Sequence, residues 1–139
     1  MKTLTLILLS GLLFLSPNVV LSETMGDAVE VYLLNQLDDY RGYCIDIKGY
    51  KSKAIISKGL QAHTCYSYQG KIAIDQGFDA LKLIKNKFFL PAFNVCMEAV
   101  SAGVAANIRL SQCRDRKFQE FELDEKGRIH LISNLKLCL

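Results

Sequence analysis

The stretch Tyr43-Cys44-Ile45-Asp46-Ile47 contains the pattern that decides the fold of this chain. Apolar and polar side chains alternate along it, as they do in a strand with one buried face. The same order of residue types returns in Val95-Cys96-Met97-Glu98, and its first three positions return in Leu137-Cys138-Leu139. An apolar-Cys-apolar box followed by an acid therefore marks the start of a repeated unit.

Each of the two complete boxes is followed by the same two signals. The first is a strand-like segment that ends in cysteine, residues 60–65 in one unit and 108–113 in the other. The second is a Gln-x-Phe motif, which begins at Gln76 and again 43 residues later at Gln119. The second and third cysteine boxes lie 42 residues apart. A unit of this length cannot bury its apolar face alone and must pack against copies of itself.

The chain between the boxes has the pattern of short strands separated by turns. Glycines fall between the apolar runs, where turns are required. Strands spaced by about 8 to 15 residues, without crossover helices, predict an all-β barrel or sandwich. The predicted strands are residues 29–34, 43–47, 60–65, 72–75, 88–90, 95–100, 108–113, 121–123 and 129–132.

Composition restricts the chain to one folded domain and excludes one class of partner. Of its 139 residues, half are hydrophobic and 22% are charged, a balance that allows a buried core. Its 17 Lys and Arg residues and 14 Asp and Glu residues are interspersed along the sequence, so there is no electrostatic footprint of the kind that a phosphate backbone needs. We therefore expect no nucleic-acid partner.

Residues 1–22 have the pattern of a secretory signal peptide. Lys2 precedes an apolar run, residues 4–15, and Pro17 and small residues near Ser22 follow it. The run is shorter than the ~20 residues that a membrane span needs, although residues 19–21 would lengthen it into an anchor if it stayed uncleaved. Cleavage near Ser22 leaves residues 23–139, a domain of 117 residues with a net charge of +2. We expect a secreted or periplasmic protein without a stable membrane span.

Export makes disulfides the expected state of the five cysteines, which are Cys44, Cys65, Cys96, Cys113 and Cys138. No two of them have Cys-x-x-Cys spacing, which argues against a thioredoxin-like redox site and a zinc ribbon. Because the number is odd, one cysteine is free, cross-linked to another chain, or paired with a residue beyond this sequence.

The order of these motifs resembles the ricin-type β-trefoil, the R-type lectin domain. In that family a Cys-apolar-acid box, a strand ending in cysteine and a Gln-x-aromatic motif recur in three units about a pseudo-threefold axis. The resemblance covers residues 29–139. Phe78 and Phe121 stand where the family usually has Trp, a residue that this chain lacks.

The resemblance implies two full repeats, roughly residues 29–90 and 91–136, and a third repeat that begins at residue 137 and is largely missing. A barrel without most of its third unit would expose strand edges and apolar core to water. We expect the chain to be a truncated product. The alternatives are a dimer linked through Cys138 and closure by another partner.

The resemblance also implies one disulfide within each complete unit, Cys44 with Cys65 and Cys96 with Cys113, with Cys138 outside both. The residues by themselves leave other pairings, or four buried free thiols, open.

For the sugar site, the resemblance implies five residues of the first unit: Asp46, Gln61, His63, Asp75 and Gln76. A carboxylate accepts strong, charge-assisted hydrogen bonds from sugar hydroxyls, and glutamine both donates and accepts. A flat side chain packs under the apolar face of a pyranose. His63 is smaller than the usual Trp or Tyr, so Tyr66 or Tyr68 is a second candidate for this platform.

Each of these residues also has a structural interpretation. In this interpretation the Gln76 amide ties the hairpin together, Asp46 is a solvated strand acid, and His63 is an exposed strand residue. The second unit lacks an aromatic platform, so we expect it to be structural. Its equivalent residues are Glu98, Arg109, Ser111, Phe118 and Gln119.

Catalytic motifs are absent from the sequence. It contains no Gly-x-Ser-x-Gly, no His-Glu-x-x-His and no phosphate-binding glycine loop, and its two histidines, His63 and His130, lie in different units. We expect a glycan-binding protein that is not an enzyme and needs no metal or cofactor. The alternative is a β-trefoil scaffold that binds or inhibits a protein and has a vestigial sugar site.

Overall fold

The computed structural model describes residues 27–139, so the predicted signal peptide, residues 1–22, lies outside the described part. Short antiparallel strands form most of its regular structure. They are β1 (Ala28–Val29), β2 (Tyr43–Ile47), β3 (Leu60–Thr64), β4 (Phe78–Asp79), β5 (Phe89–Leu90), β6 (Val95–Ala99), β7 (Ile108–Ser111), β8 (Phe121–Leu123), β9 (Ile129–Leu131) and β10 (Asn134–Cys138). The prediction of an all-β protein is confirmed.

The helices of the described residues are all single turns. Helix α1 (Ala80–Leu83) is four residues long, and its first turn is capped by the Asp79 carboxylate, which accepts from the Lys82 backbone N–H at 2.8 Å. Short 3₁₀ turns occupy Lys51–Lys53, Ile56–Lys58, Tyr66–Gln69 and Pro91–Phe93. Within residues 27–139, no helix has the length and apolar character needed to cross a membrane.

The strands form four small sheets. Two are pairs, β1 with β4 and β2 with β3, and two have three strands, in the orders β5-β6-β7 and β10-β9-β8. The two cysteine boxes form β2 and β6, and each pairs with the strand that precedes the next cysteine. Asp46 lies opposite Gln61 in the first hairpin, and Glu98 lies opposite Arg109 in the second. The two repeats therefore have the same register, which keeps equivalent side chains on the same face.

A disulfide closes each of these hairpins. Cys44 is bonded to Cys65 and Cys96 to Cys113, with Cα–Cα distances of 5.0 and 4.9 Å. These are the two pairings that the resemblance implies. A bridge that closes a loop of this size contributes about 3 kcal/mol by restricting the unfolded chain. Cys138, at the end of β10, is exposed and free.

Three phenylalanines form the centre of the core. Phe78, Phe88 and Phe121 are each at most 1% exposed. The Phe78 and Phe88 rings meet edge to face at 5.9 Å, as do those of Phe88 and Phe121. Burial of each ring contributes about 1.5–3 kcal/mol. Because Phe78 and Phe121 end the two Gln-x-Phe motifs, the core fixes the position of the glutamine two residues before each ring.

The strand predicted at residues 72–75 is wrong. The segment turns instead, and the Gln76 backbone N–H donates to the Ala73 carbonyl at 3.0 Å. The reason lies in Asp75, whose side chain is buried and bonded to a distant loop, so that this segment does not add to a sheet.

The two ends of the described chain also differ from the prediction. Of the strand predicted at residues 29–34, only Val29 belongs to a regular strand, β1 (Ala28–Val29). A single bridge joins Tyr32 to Cys44. Strand β10 extends over Asn134–Cys138, where the sequence pattern indicates only the cysteine box at its end. It forms because the chain folds back antiparallel onto β9.

Candidate functional site

Asp46 lies in the middle of β2, and its side chain is buried beneath the first hairpin. The residue is only 1% exposed, so the interpretation as a solvated strand acid is wrong. Its Oδ2 accepts from Gln76 Nε2 at 3.4 Å and lies 3.8 Å from His63 Nδ1. Its Oδ1 accepts no well-formed hydrogen bond from the described residues, although the Gln61 side chain across the hairpin interacts with this carboxyl. Burial raises the pKa of this carboxyl above its usual value.

Asp75 places a second buried carboxylate in the same part of the molecule. Its Oδ2 accepts from the backbone N–H of Lys51 at 2.5 Å, and its backbone carbonyl accepts from the Ile47 N–H at 3.1 Å. Its Oδ1, like that of Asp46, accepts no well-formed hydrogen bond within residues 27–139. An unpaired buried acceptor costs about 1–3 kcal/mol, so two at one place require an explanation.

Gln76 is held at both ends of its amide. Its Oε1 accepts from the Tyr66 backbone N–H at 2.9 Å, and its Nε2 donates to the Thr64 carbonyl at 3.0 Å. The side chain is completely buried. Gln76 thus ties β3 to the turn before β4 and directs one amide hydrogen toward Asp46.

Two rings lie over this group of polar residues. His63 and Tyr66 stack with centroids 5.7 Å apart and planes inclined by 24°. The Lys51 ammonium lies 5.2 Å from the centroid of Tyr66 and 5.2 Å from that of Tyr50. Tyr68, the other candidate ring, lies against a guanidinium group at 5.3 Å instead. The aromatic surface beside Asp46 therefore consists of His63 and Tyr66 together.

The equivalent acid of the second repeat has partners on both oxygens. Glu98 accepts from Arg109 Nη2 at 2.8 Å through Oε1, and from the Ser111 hydroxyl and from Gln119 Nε2, at 3.0 Å, through Oε2. The Ser111 hydroxyl above all, followed by Arg109 and Gln119, holds the pKa of Glu98 at about 2 against the burial that would raise it. Both oxygens of Glu98 are therefore already bonded within the protein.

The glutamine ties of the two repeats are the same. Gln119 accepts from the Arg114 backbone N–H at 2.7 Å and donates to the Gln112 carbonyl at 3.0 Å, as Gln76 does with its own neighbours. The two repeats share this scaffold and differ in the residues opposite the acid. The structural role expected for the second unit agrees with these contacts.

The structure brings the five predicted site residues into one neighbourhood. Asp46 touches His63 and Gln76 and pairs across the hairpin with Gln61, and the charge of Asp75 acts on the Asp46 carboxyl. Lys51, which lies 24 residues before Asp75, was not among the residues predicted from the sequence. The sequence shows a lysine-rich loop directly after the first cysteine box, but the contact between Lys51 and Asp75 depends on the tertiary fold.

The described residues contain one other close group of ligand-type side chains, Glu30 with Cys44 and Cys65. Because the two sulfurs are joined in a disulfide, neither is a thiolate that would bind a metal.

Comparison with known proteins identified no relative of this chain. No family model matches the sequence, and no curated protein matches it.

Proposed function

We propose that this protein is a secreted or periplasmic carbohydrate-binding protein of the ricin-type β-trefoil class, with one sugar site in its first repeat. The internal duplication supports the class. Both described repeats have a disulfide-closed hairpin in the same register, a buried glutamine tie and a core phenylalanine two residues after it. Two disulfides also favour an oxidising compartment outside the cytosol.

The observation that carries the proposal is the pair of unpaired oxygens, Asp46 Oδ1 and Asp75 Oδ1. Both oxygens are buried, so the side chains that cover them must move aside before a ligand reaches them. Sugar hydroxyls are donors that would then satisfy both, and hydrogen bonds to carboxylates are the stronger kind. The equivalent oxygens of Glu98 are already bonded within the protein. The first repeat therefore retains acceptors that the second repeat has used.

The remaining residues have distinct roles in this proposal. Gln61 lies across the hairpin from Asp46 and offers both a donor and an acceptor to the sugar. Gln76 positions Asp46. The face of His63 that is turned away from Tyr66 packs against the apolar side of the pyranose, and Tyr66 supports the His63 ring from behind. The groups act directly on hydroxyls, so binding needs no metal and no bond of the sugar is broken.

A single polar site of this kind binds weakly, because it must displace water that is already well hydrogen-bonded. We expect a dissociation constant on the order of 0.1–1 mM. A glycan array followed by titration calorimetry tests the proposal on the wild type and on Asp46→Asn. The Asn variant should lose binding by at least about tenfold, since an amide replaces the charged acceptor.

The matched control is Glu98→Gln, which alters the equivalent acid of the second repeat and should leave sugar affinity unchanged. Absence of any bound sugar at millimolar concentration, or full binding by Asp46→Asn, would refute the sugar site. Either result would favour the alternative of a protein-binding scaffold, for which the near-complete burial of Asp46 and Asp75 is the supporting observation.

A further inference from the structure

The loop that joins the two strands of each hairpin differs sharply in charge between the repeats. In the first repeat, residues 48–59 contain four lysines: Lys48, Lys51, Lys53 and Lys58. In the second repeat, residues 100–107 contain no charged side chain. Because the scaffolds are otherwise alike, the lysines distinguish the repeat that has the candidate sugar site from the repeat that lacks one.

Residues 42–78 contain five lysines and two aspartates, a net charge of +3. The aspartates, Asp46 and Asp75, are buried, whereas Lys51 is partly buried and the other four lysines are exposed. None of the five lysines forms an ion pair with a carboxylate of the described residues. Within residues 42–78, the charged side chains that reach solvent are therefore all positive.

Lys51 is held at the centre of this region by both its backbone and its side chain. Its N–H donates to Asp75 Oδ2, and its ammonium lies between the Tyr50 and Tyr66 rings. Its φ is +48°, a left-handed conformation that residues other than glycine rarely adopt. Strained residues of this kind are concentrated where function requires a particular side-chain position.

A cleft of about 290 Å³ opens beside Lys51. Lys51, Ser52 and Tyr66 line one part of it, and Lys71 and the segment immediately before Asp75 line the rest. Two lysines without a carboxylate partner thus share one concave surface, and the backbone of one of them, Lys51, is bonded to the buried carboxylate of Asp75.

We propose that this cleft binds a negatively charged substituent, a sulfate or a carboxylate, of the saccharide whose hydroxyls bind Asp46 and Asp75. The inference rests on the proposed sugar site and specifies its ligand class as anionic glycans. Ammonium groups bind both anions through charge-assisted hydrogen bonds, and the Ser52 hydroxyl is a further donor. A neutral sugar would leave both lysines without an anionic partner.

The test uses the full protein and a glycan array in which each neutral core is also present in a sulfated and a carboxylated form. We expect the anionic forms to bind about tenfold more tightly than their neutral cores. The preference should weaken as salt rises from about 0.05 to 0.5 M, because salt screens these contacts. The stronger of the two anionic series identifies the substituent.

The decisive variant is Lys51→Gln combined with Lys71→Gln, which should reduce anionic binding to the level of the neutral core. The control, Lys126→Gln with Lys136→Gln, changes the net charge equally on the β8–β9 turn and β10 and should leave the preference intact. Lys71→Gln alone, at an exposed side chain, keeps the test valid if the double variant does not fold, and should remove part of the preference.

Equal binding of neutral and anionic forms, or a preference that survives the lysine substitutions, would overturn this inference and leave the sugar site standing. Anionic binding that is lost in the lysine variant but unchanged in Asp46→Asn would instead support the cleft and refute the sugar site. If no glycan of either kind binds, both proposals are wrong.

Discussion

Asp46 and Glu98 occupy equivalent positions at the residue scale and have opposite surroundings. Each is a buried acid in the middle of the strand formed by its cysteine box. Glu98 has a cation and a hydroxyl on its oxygens, whereas Asp46 has one amide hydrogen at 3.4 Å and one oxygen without a well-formed hydrogen bond. The same position is therefore a source of stability in one repeat and a cost in the other.

The first prediction is that the two acids respond in opposite directions to neutralisation. At pH 7, Asp46→Asn should raise the free energy of unfolding by about 1 kcal/mol, because it removes a poorly solvated charge. Glu98→Gln should lower it by about 1–3 kcal/mol, because Arg109 loses its buried partner. Urea denaturation of both variants measures these changes. Destabilisation by Asp46→Asn would show that its carboxylate is satisfied in solution.

The second prediction concerns the effect of pH on the stability that each acid contributes. The folded-state pKa of Glu98, about 2, lies below its ordinary value of 4.5, so its stabilisation is present above pH 4.5 and is lost as pH falls toward 2. The folded-state pKa of Asp46 is raised, so its ionisation destabilises the fold as pH rises through that pKa. Differences in unfolding free energy between each variant and wild type, measured from pH 2 to 7, should show these opposite slopes. Parallel slopes would contradict the electrostatic contrast between the repeats.

The third prediction is that sugar binding weakens in acid at a higher pH than an ordinary aspartate would cause. Protonation of Asp46 replaces its charged acceptor with a neutral carboxyl group, and burial moves that step upward from the usual range. Titration calorimetry between pH 4 and pH 7 measures the midpoint. A His63→Gln variant removes the nearby imidazole, and loss of the whole pH effect in that variant would contradict its assignment to Asp46.

At the scale of the elements, the loop over residues 48–59 brings Lys51 to Asp75. Its path depends on Gly49, which has a φ of +139° and packs so closely that an added Cβ would lie 2.6 Å from Ala54 Cα. The Ile55 N–H donates to the Lys48 carbonyl at 2.9 Å and closes the loop at this point. The loop is thus folded tightly against itself, and its conformation is part of the site.

The fourth prediction is that Gly49→Ala impairs both stability and ligand binding. The new methyl group must displace backbone atoms, which should cost about 2 kcal/mol and move Lys51 away from Asp75. Gly70→Ala is the matched control, because Gly70 also has a positive φ, +86°, but no atom within 4 Å of an added Cβ. It should cost about 1 kcal/mol and leave ligand affinity unchanged. Thermal unfolding and calorimetry on both variants test this, and equal binding by the two would contradict the role of the loop.

At the scale of the whole molecule, the described chain carries one candidate sugar site and one exposed free thiol, at Cys138. The other four cysteines form two disulfides, which suits an oxidising compartment. An accessible thiol in such a compartment is a reactive group. Joining two chains would place two weak sites on one particle, and linked sites increase overall avidity without any new contact.

The fifth prediction tests the alternative given above, in which the protein forms a disulfide-linked dimer through Cys138. Under oxidising conditions, a band of doubled mass should appear on a non-reducing gel, disappear with reductant, and be absent from Cys138→Ser. On a surface dense in glycans, the dimer should bind about a hundredfold more tightly than the Ser variant. A protein that remains monomeric after oxidation would refute this prediction.

Much of the fold was predictable from the sequence because it depends on local patterns. Alternation in Tyr43–Ile47 and Phe121–Leu123 marked strands that the structure has at the same bounds. The recurrence of the cysteine box and Gln-x-Phe indicated the duplication. The turn at residues 72–75 was not predictable, because its apolar residues have the pattern of a strand, whereas contacts with distant residues, such as that of Asp75 with Lys51, hold them in a turn.

The sequence by itself determined the residue types of the site, the strand positions and the contrast in charge between the two hairpin loops. Tertiary structure alone decided which acid is satisfied. The oxygens of Glu98 accept hydrogen bonds from Arg109 and Ser111 of β7. The Oδ1 atoms of Asp46 and Asp75 accept no well-formed hydrogen bond from the described residues. The physical reason is that a hydrogen bond depends on atoms brought within about 3 Å. Chain order does not specify that distance for Lys51 and Asp75, which are 24 positions apart, or for Asp46 and Gln76, which are 30 positions apart.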